Sequence, residues 1–266
     1  MEYIFKTGGF GLRWYSFLVA VGLALGTMTA YFEAKRRGEK TEEVFNALLI
    51  AVPFAIIGAR IYHVIHEWGF YSDHPSRILR IDEGGIGIYG AVIGSVLAMV
   101  IFTRMRKLNM WRWMDIGAPG LLVGQIIGRW GNYFNEELYG KPTDAPWAIT
   151  IPSEKRLDGY EGFTSFHPLF LYESLLNLIG LGLFYYISRK YVKRLQDGDI
   201  ALMYGLWYGA VRLALENFRI GNWKVAEEVP TATIISIAAI VLCGGALLYR
   251  HWIKPGKGQT ANPASV

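Results

Sequence analysis

The chain of 266 residues contains only one cysteine, Cys243. A single thiol excludes an intrachain disulfide and a cysteine-rich metal site. Its position in an apolar run favours a buried structural thiol over a nucleophile. Charged residues are also scarce, at 18% against about 25% in soluble domains, while 52% of the residues are hydrophobic. This balance excludes an ordinary soluble domain and indicates a polytopic membrane protein.

The sequence also lacks internal repeats, low-complexity linkers and a separate soluble domain. Two related halves with interrupted helices, which many transporters have, are therefore not indicated. The simplest organisation is one membrane domain over residues 1–254, followed by a short cytoplasmic tail, 255–266, that we expect to be disordered.

Several apolar windows approach the roughly 20 residues that a helix needs to cross a bilayer. They predict an all-α bundle of about seven transmembrane helices. The windows are 14–32, 44–65, 84–102, 114–128, 166–187, 200–215 and 231–249.

Lysine and arginine concentrate after the first, third, fifth and seventh windows, which hold more than half of the 27 basic residues. The positive-inside rule then places the N-terminus outside and the C-terminus in the cytoplasm. The net charge of +5 reflects this topology and contacts with anionic membrane lipids, so it requires no nucleic-acid partner. Residues 130–165 are predicted to form an ordered outer loop, with short strands around 147–151.

Three arginines fall at a similar depth in three predicted helices. At 1.5 Å per residue, Arg129 lies about 24 Å beyond Trp113, and Arg212 lies about 20 Å beyond Asp199. Arg60 lies about 26 Å beyond Glu43. Such charges are costly in lipid and normally face a bundle interior or a wet cavity. The three arginines therefore predict one polar layer in the outer half of the membrane.

The sixth window places Tyr208, Arg212, Glu216 and Arg219 close to one helical face. One interpretation is that Arg212 and Glu216 form a packing ion pair. The other is an anionic ligand, because the arginines exceed what one carboxylate can satisfy. A phospholipid headgroup fits best, since guanidinium forks match phosphate oxygens and the acyl chains can stay in the bilayer.

Residues 128–140 closely resemble the signature of bacterial prolipoprotein diacylglyceryl transferases, Gly-Arg-x-Gly-Asn-(aromatic)-x-Asn-x-Glu-x-x-Gly. Further elements similar to that family occur in family order along nearly the whole chain. They lie at residues 13–15, 58–62, 84–90, 167–173 and 208–219.

The resemblance implies that the chain moves the diacylglyceryl group of phosphatidylglycerol to the lipobox cysteine of a preprolipoprotein signal peptide. The reaction forms a thioether and releases glycerol 1-phosphate at the outer face of the cytoplasmic (inner) membrane. The thiol then belongs to the substrate, and the reaction needs no metal or other cofactor.

The resemblance also assigns roles to individual residues. Arg129 and Arg212 would bind the phosphate and stabilise the charge that grows on the leaving group. Glu137 would hold an arginine or the glycerol hydroxyls. The other expected substrate contacts are Tyr15, Arg60, Asn132, Asn135, Gly140, His167, Tyr208, Glu216 and Arg219.

Tyr89 departs from the pattern, because some family members have a histidine at this position that has been proposed as a general base. An unperturbed tyrosine has a pKa near 10 and is a poor base at neutral pH. Tyr89 therefore either acts with a lowered pKa or hydrogen-bonds the headgroup. In the second case the thiol proton passes to water, phosphate or a carboxylate.

Several features also have plainer interpretations. His167 precedes a proline and could cap the fifth helix and contact the outer loop, and Tyr15 could be a membrane-interface aromatic. The asparagines of the signature also suit a helix end and turn. A metal site from His63, His66 and His74 is not indicated, because no carboxylate cluster accompanies them. A transporter or a non-catalytic lipid-binding protein remains the alternative function.

Overall fold

The computed structural model describes residues 3–7, 10–81, 84–221, 224–225 and 229–253. The chain divides into two compact units, the first from Met1–Ala30 with Asp115–Val266 and the second from Tyr31–Met114. The predicted tail, 255–266, lies outside the described residues.

Helices dominate the described residues. Their bounds are α1 Trp14–Arg36, α2 Glu42–His66, α3 Trp68–Asp73, α4 Ile88–Met105, α5 Met110–Asn135, α6 Leu169–Lys190, α7 Asp199–Glu216 and α8 Thr231–Leu248. Short antiparallel pairs join β1 Tyr3–Thr7 to β2 Phe10–Arg13, β3 Ile149–Thr150 to β4 Ser165–Phe166, and β5 Lys224–Val225 to β6 Val229–Pro230.

Five helical segments in the described ranges are long and apolar enough to cross a membrane. They are α1, α2, α4, α6 and the segment Thr231–Ile253, which extends α8. A helical membrane protein is therefore confirmed. Helices α5 and α7, which the sequence also predicts to cross, fall outside this group although they have 26 and 18 residues.

Helix α5 is longer than its apolar window predicts, because it continues to Asn135 into the predicted loop. The chain turns away just after it, where Glu136 and Leu138 have φ angles of 57° and 53°. The Glu137 N–H donates to the Asn132 carbonyl at 3.0 Å and closes this turn. The first polar residues of the signature thus lie on the last two turns of a helix instead of in a loop.

The loop between α5 and α6 has a small core of its own, formed by Tyr139, Ile151 and Phe166. The Tyr139 hydroxyl donates to the Lys155 carbonyl at 2.9 Å and accepts from the Leu157 N–H at 2.8 Å. Strand β3 lies inside the predicted strand region. These contacts give the loop a packed core and internal hydrogen bonds.

Glycines allow close helix packing in the first unit. A Cβ added at Gly26 of α1 would lie 2.7 Å from the carbonyl oxygen of Gly120 in α5. In the same helix α5, the buried Asp115 carboxylate accepts the N–H groups of Gly198 and Ala201 at 2.9 Å. The Asp115 carboxylate thus provides hydrogen-bond acceptors for N–H groups at the start of α7 and fixes α7 beside α5.

In the second unit, α2 packs along α4 through Gly58, Gly90 and Gly94. A Cβ at Gly58 would lie 3.1 Å from the Cα of Gly94. The short helix α3 and a single turn of 3₁₀-helix, Pro75–Arg77, follow α2 and begin the connection to α4.

Candidate active site

Helices α5, α6 and α7 of the first unit bring a polar cluster together. Each contributes two polar side chains spaced by four residues, which places the pair on one helical face. The pairs are Gln125 and Arg129 on α5, Glu173 and Asn177 on α6, and Tyr208 and Arg212 on α7. With Val211 these six side chains line a narrow pocket of about 10 Å³, which is about the space that one water molecule needs.

Glu173 is the central carboxylate of this cluster. Its Oε2 lies 2.5 Å from Nε of Arg129, and its Oε1 accepts from Nη2 of Arg219. The Glu173 side chain is only 7% exposed, so its charge depends on these partners. One buried carboxylate therefore holds two arginines that are distant in sequence.

A second ion pair lies within α7, where Arg212 donates to the Glu216 carboxylate one helical turn later. Both side chains are largely buried, at 14% and 10% exposure. The packing pair that the sequence suggests therefore exists. It leaves the cluster of three arginines and two carboxylates with one excess positive charge.

Arg219 follows the end of α7 and is placed by main-chain pairing with the loop. Gly140 bridges to Arg219, and the Lys141 N–H donates to the Phe218 carbonyl at 2.7 Å. On the other side, the Gly140 N–H donates to the His167 carbonyl at 2.9 Å. Residue 140 is thus held between two chain segments. A Cβ there would lie 2.7 Å from the Phe218 oxygen and 2.9 Å from the His167 Cβ, which explains the need for glycine.

The amides of the signature converge on Glu137. Asn132 and Asn135 both donate to Oε1 of Glu137, at 2.9 Å and 3.2 Å. Asn132 is buried, whereas Glu137 is exposed. The side-chain oxygen of Asn135 is buried without a hydrogen-bond partner, a costly arrangement that a ligand donor would relieve. In the described structure the carboxylate that holds an arginine is Glu173, and Glu137 holds these amides.

His167 and Tyr15 contact the ends of the same helices. The Tyr172 hydroxyl lies 3.0 Å from Nδ1 of His167 and accepts from the Trp147 indole at 2.7 Å. His167 thus links the start of α6 to the loop, and it makes no side-chain cap on α6. The ring of Tyr15 lies against Gly131, where an added Cβ would come within 2.7 Å of its Cδ2.

In the second unit, Arg60 directs all five of its N–H groups to main-chain carbonyls. Nε donates to Ile78, Nη1 to Gly84 and Gly85, and Nη2 to Arg77 and Arg80, at 2.6–3.1 Å. The buried Arg60 therefore holds the described loop residues 77–81 and 84–85 together. Its predicted contact with phosphate stays a prediction. Tyr89, on the first turn of α4, lies edge-on to Tyr62 at 5.7 Å.

Comparison with known proteins gives the family. The family described as "Prolipoprotein diacylglyceryl transferase" matches residues 2–249. This chain belongs to that family. Among its relatives named "Phosphatidylglycerol--prolipoprotein diacylglyceryl transferase", the protein of Gloeobacter violaceus is 40% identical over 90% of this chain and 88% of its own length. Those of Lysinibacillus sphaericus and Halalkalibacterium halodurans are 39% and 38% identical, covering 94% and 95% of this chain and 93% and 86% of their own lengths. Membership makes the chain a transferase, and the resemblance drawn from its motifs is confirmed.

Within this diacylglyceryl transferase, the structure joins Arg129, Arg212, Glu216 and Arg219 in one cluster, as the sequence predicts. It adds Glu173, Gln125 and Asn177, which sequence reasoning did not select. Their signal was available, because each is a polar residue one helical turn from another polar residue in an apolar helix. Glu173 also ends the family-like element 167–173.

Proposed function

We propose that this protein transfers the diacylglyceryl group from phosphatidylglycerol to the lipobox cysteine thiol of preprolipoproteins, as its relatives are named for doing. The thiolate sulfur attacks the glyceryl carbon next to the phosphate, a carbon–sulfur bond forms, and the carbon–oxygen bond breaks. The phosphate oxygen takes the electron pair and leaves in glycerol 1-phosphate. The observation that carries this proposal is the pocket that Arg129, Glu173 and Arg212 line inside a helical membrane protein.

In this proposal Arg129 and Arg212 bind the phosphate. Glu173 engages Arg129 through Nε, and Glu216 engages Arg212 through Nη1, so each guanidinium is held in place while other N–H groups of its fork remain for a ligand. Donors positioned before the reaction stabilise the charge that develops on the leaving oxygen without reorganisation. Tyr208, on the same face of α7, would contact the headgroup.

The signature amides would bind the glycerol part of the headgroup. Asn132 and Asn135 already donate to Glu137, and the unpartnered oxygen of Asn135 offers an acceptor for a glycerol hydroxyl. Tyr89 lies in the second unit, so its predicted part in binding the headgroup or taking the thiol proton stays a prediction. The exposed carboxylate of Glu137, the phosphate or water then accepts that proton.

The proposal places all seven long helices across the cytoplasmic membrane, with the N-terminus outside and the active site towards the outer leaflet. Helices α5 and α7 are not among the five candidate spans, and each contributes two polar side chains to the pocket. Intramembrane charges normally face a bundle interior, which supports this arrangement. The ordered loop between α5 and α6 would cover the site and receive the signal peptide.

The direct test uses purified protein in vesicles that contain phosphatidylglycerol, with a lipobox peptide as acceptor and mass measurement as readout. We expect a diacylglyceryl mass increase on the peptide and equimolar glycerol 1-phosphate. A cysteine-to-serine peptide is the matched acceptor control. Arg129→Ala should abolish transfer, whereas Arg189→Ala, an arginine at the far end of α6, should not. Binding of lipid without transfer in an active preparation would contradict the proposal and favour a lipid-binding or transport protein.

A further inference from the structure

The charge of the pocket is set by five side chains among the described residues. Three are guanidinium groups, from Arg129, Arg212 and Arg219, and two are carboxylates, from Glu173 and Glu216, and every one pairs with a member of the set. Their formal sum is one positive charge. The other polar residues that line the pocket, Gln125, Asn177 and Tyr208, are neutral.

The substrate and the product of the proposed reaction differ in charge at their phosphates. Phosphatidylglycerol is a phosphodiester and carries one negative charge. Glycerol 1-phosphate is a phosphomonoester, whose second pKa is about 6, so it carries close to two negative charges at neutral pH. One positive charge in the pocket neutralises the phosphate of phosphatidylglycerol. With glycerol 1-phosphate bound, one negative charge is left over.

We propose that Glu173 and Glu216 are specificity-determining residues, which hold the pocket at a charge that fits the phosphodiester substrate and disfavours the dianionic product. The proposal rests on the proposed function of the pocket. The negative charge of the thiolate moves to the leaving phosphate as the carbon–oxygen bond breaks, so the phosphate itself becomes a dianion only when the product has formed. Release of glycerol 1-phosphate removes that dianion from the pocket.

Both carboxylates are placed to exert this effect. The side chains of Glu173 and Glu216 are 7% and 10% exposed, so solvent screens their charges weakly. Glu173 itself lines the pocket, and Glu216 pairs with Arg212, which lines it. Besides holding the guanidinium groups, the two buried carboxylates repel the phosphate of a ligand, and they repel a dianion more strongly than a monoanion.

The test measures inhibition of lipid transfer by glycerol 1-phosphate between pH 5 and pH 8, in the full-length protein and in Glu216→Gln. In the unmodified protein the inhibition constant should rise as pH increases through about 6, because the dianion fits less well. In Glu216→Gln the pocket carries two positive charges, so the inhibition constant for glycerol 1-phosphate should fall as pH increases from 5 to 8. At pH 8 it should be at least about tenfold lower than in the unmodified protein.

Two controls isolate the phosphate charge. The methyl ester of glycerol 1-phosphate is a phosphodiester that does not titrate in this range, and it should inhibit with little pH dependence. Glu67→Gln makes the same chemical change at an exposed position outside the pocket and should leave all constants unchanged. A purely structural role of Glu216 would lower turnover without reversing the direction of the pH dependence.

A second variant keeps the test independent of how Glu216→Gln folds. Gln125→Glu is isosteric and its carboxylate can accept from the Tyr204 hydroxyl, which now accepts from Gln125 at 2.8 Å. It brings the pocket to zero charge, so the methyl ester should bind at least about tenfold more weakly. Unchanged binding of this probe, or a Glu216→Gln profile parallel to that of the unmodified protein, would overturn the proposal. Inhibition that is insensitive to both Arg129→Ala and Arg212→Ala would instead contradict the proposed function of the pocket.

Discussion

Arg129 and Arg60 are both arginines in apolar helices, yet their surroundings differ. Arg129 pairs with a carboxylate at the edge of a pocket, and its side chain is 24% exposed. Arg60 is buried at 6% exposure and spends its five N–H groups on the carbonyls of its own loop. A carboxylate can share its arginine with an incoming phosphate, whereas all five N–H groups of Arg60 already donate to main-chain carbonyls. The groups that an arginine contacts therefore indicate its role better than its predicted depth in the membrane does.

The largest effect should follow from changing the pocket arginines. Arg129→Ala and Arg212→Ala should each lower the transfer rate by about 10²–10³ or more, the range found on removing one transition-state donor. Lysine at either position keeps the charge but loses the planar fork, so those variants should stay at least about tenfold below the unmodified protein. Transfer rates from mass measurement check this, with folding verified by thermal unfolding. A near-normal rate in either alanine variant would contradict the distinction between the pocket arginines, which bind phosphate, and Arg60, which holds its own loop.

The next effect should be on stability, from Arg60→Ala. The substitution removes five hydrogen bonds from a buried guanidinium, and one hydrogen bond to a charged group contributes about 1.5–3 kcal/mol, so the free energy of unfolding should fall by at least about 3 kcal/mol. Unfolding in detergent and protease cleavage between residues 77 and 85 provide the measurement. If Arg60→Lys instead raised the KM for phosphatidylglycerol with an unchanged Tm, Arg60 would belong with the phosphate-binding arginines.

Gly140→Ala should disturb the pocket without altering its charge. The added methyl group would contact the Phe218 carbonyl and the His167 side chain, and overpacking of this kind costs about 1–3 kcal/mol. We expect lower stability and a displaced Arg219, with reduced transfer. Gly162→Ala is the control, because an added Cβ there meets no atom within 4 Å, and its effect should stay within about 0.5 kcal/mol. Equal effects of the two substitutions would contradict the packing argument.

The smallest effect should come from Glu161, an exposed residue of the loop between α5 and α6. Its carboxylate, like the guanidinium of Arg60, is hydrogen-bonded to main-chain groups. Hydrogen bonds from its own N–H and from the Gly159 N–H lower its pKa below the ordinary 4.5. Its contribution is therefore present above pH 4.5 and is lost as pH falls through the lowered pKa. Hydrogen exchange at the Gly159 amide, corrected for its intrinsic pH dependence, should show protection decreasing in that acidic range. In Glu161→Gln this loss of protection at acidic pH should disappear. If the loss persisted in that variant, a group other than Glu161 would be responsible for it.

Much of the candidate site could be read from the sequence because its elements are local. The spacing of Tyr208, Arg212 and Glu216 places them on one face of any helix, and the structure confirms their shared position beside the pocket. The ordered loop follows from its prolines and glycines. The end of α5 could not be predicted, because an apolar window stops at the first charges, whereas the helix continues through polar residues as long as its backbone is hydrogen-bonded.

The sequence by itself determined the class of the protein, its family and the residue types of the site, since composition, helical periodicity and the ordered motifs are properties of the chain alone. The tertiary structure decided which charges meet. Glu173 holds Arg129 and Arg219 only because α6 packs beside α5 and the end of α7. Pairing over such separations depends on helix packing, which no local spacing encodes. The same reason explains why Arg60, which the sequence places at a membrane depth similar to that of Arg129, donates instead to the carbonyls of its own loop.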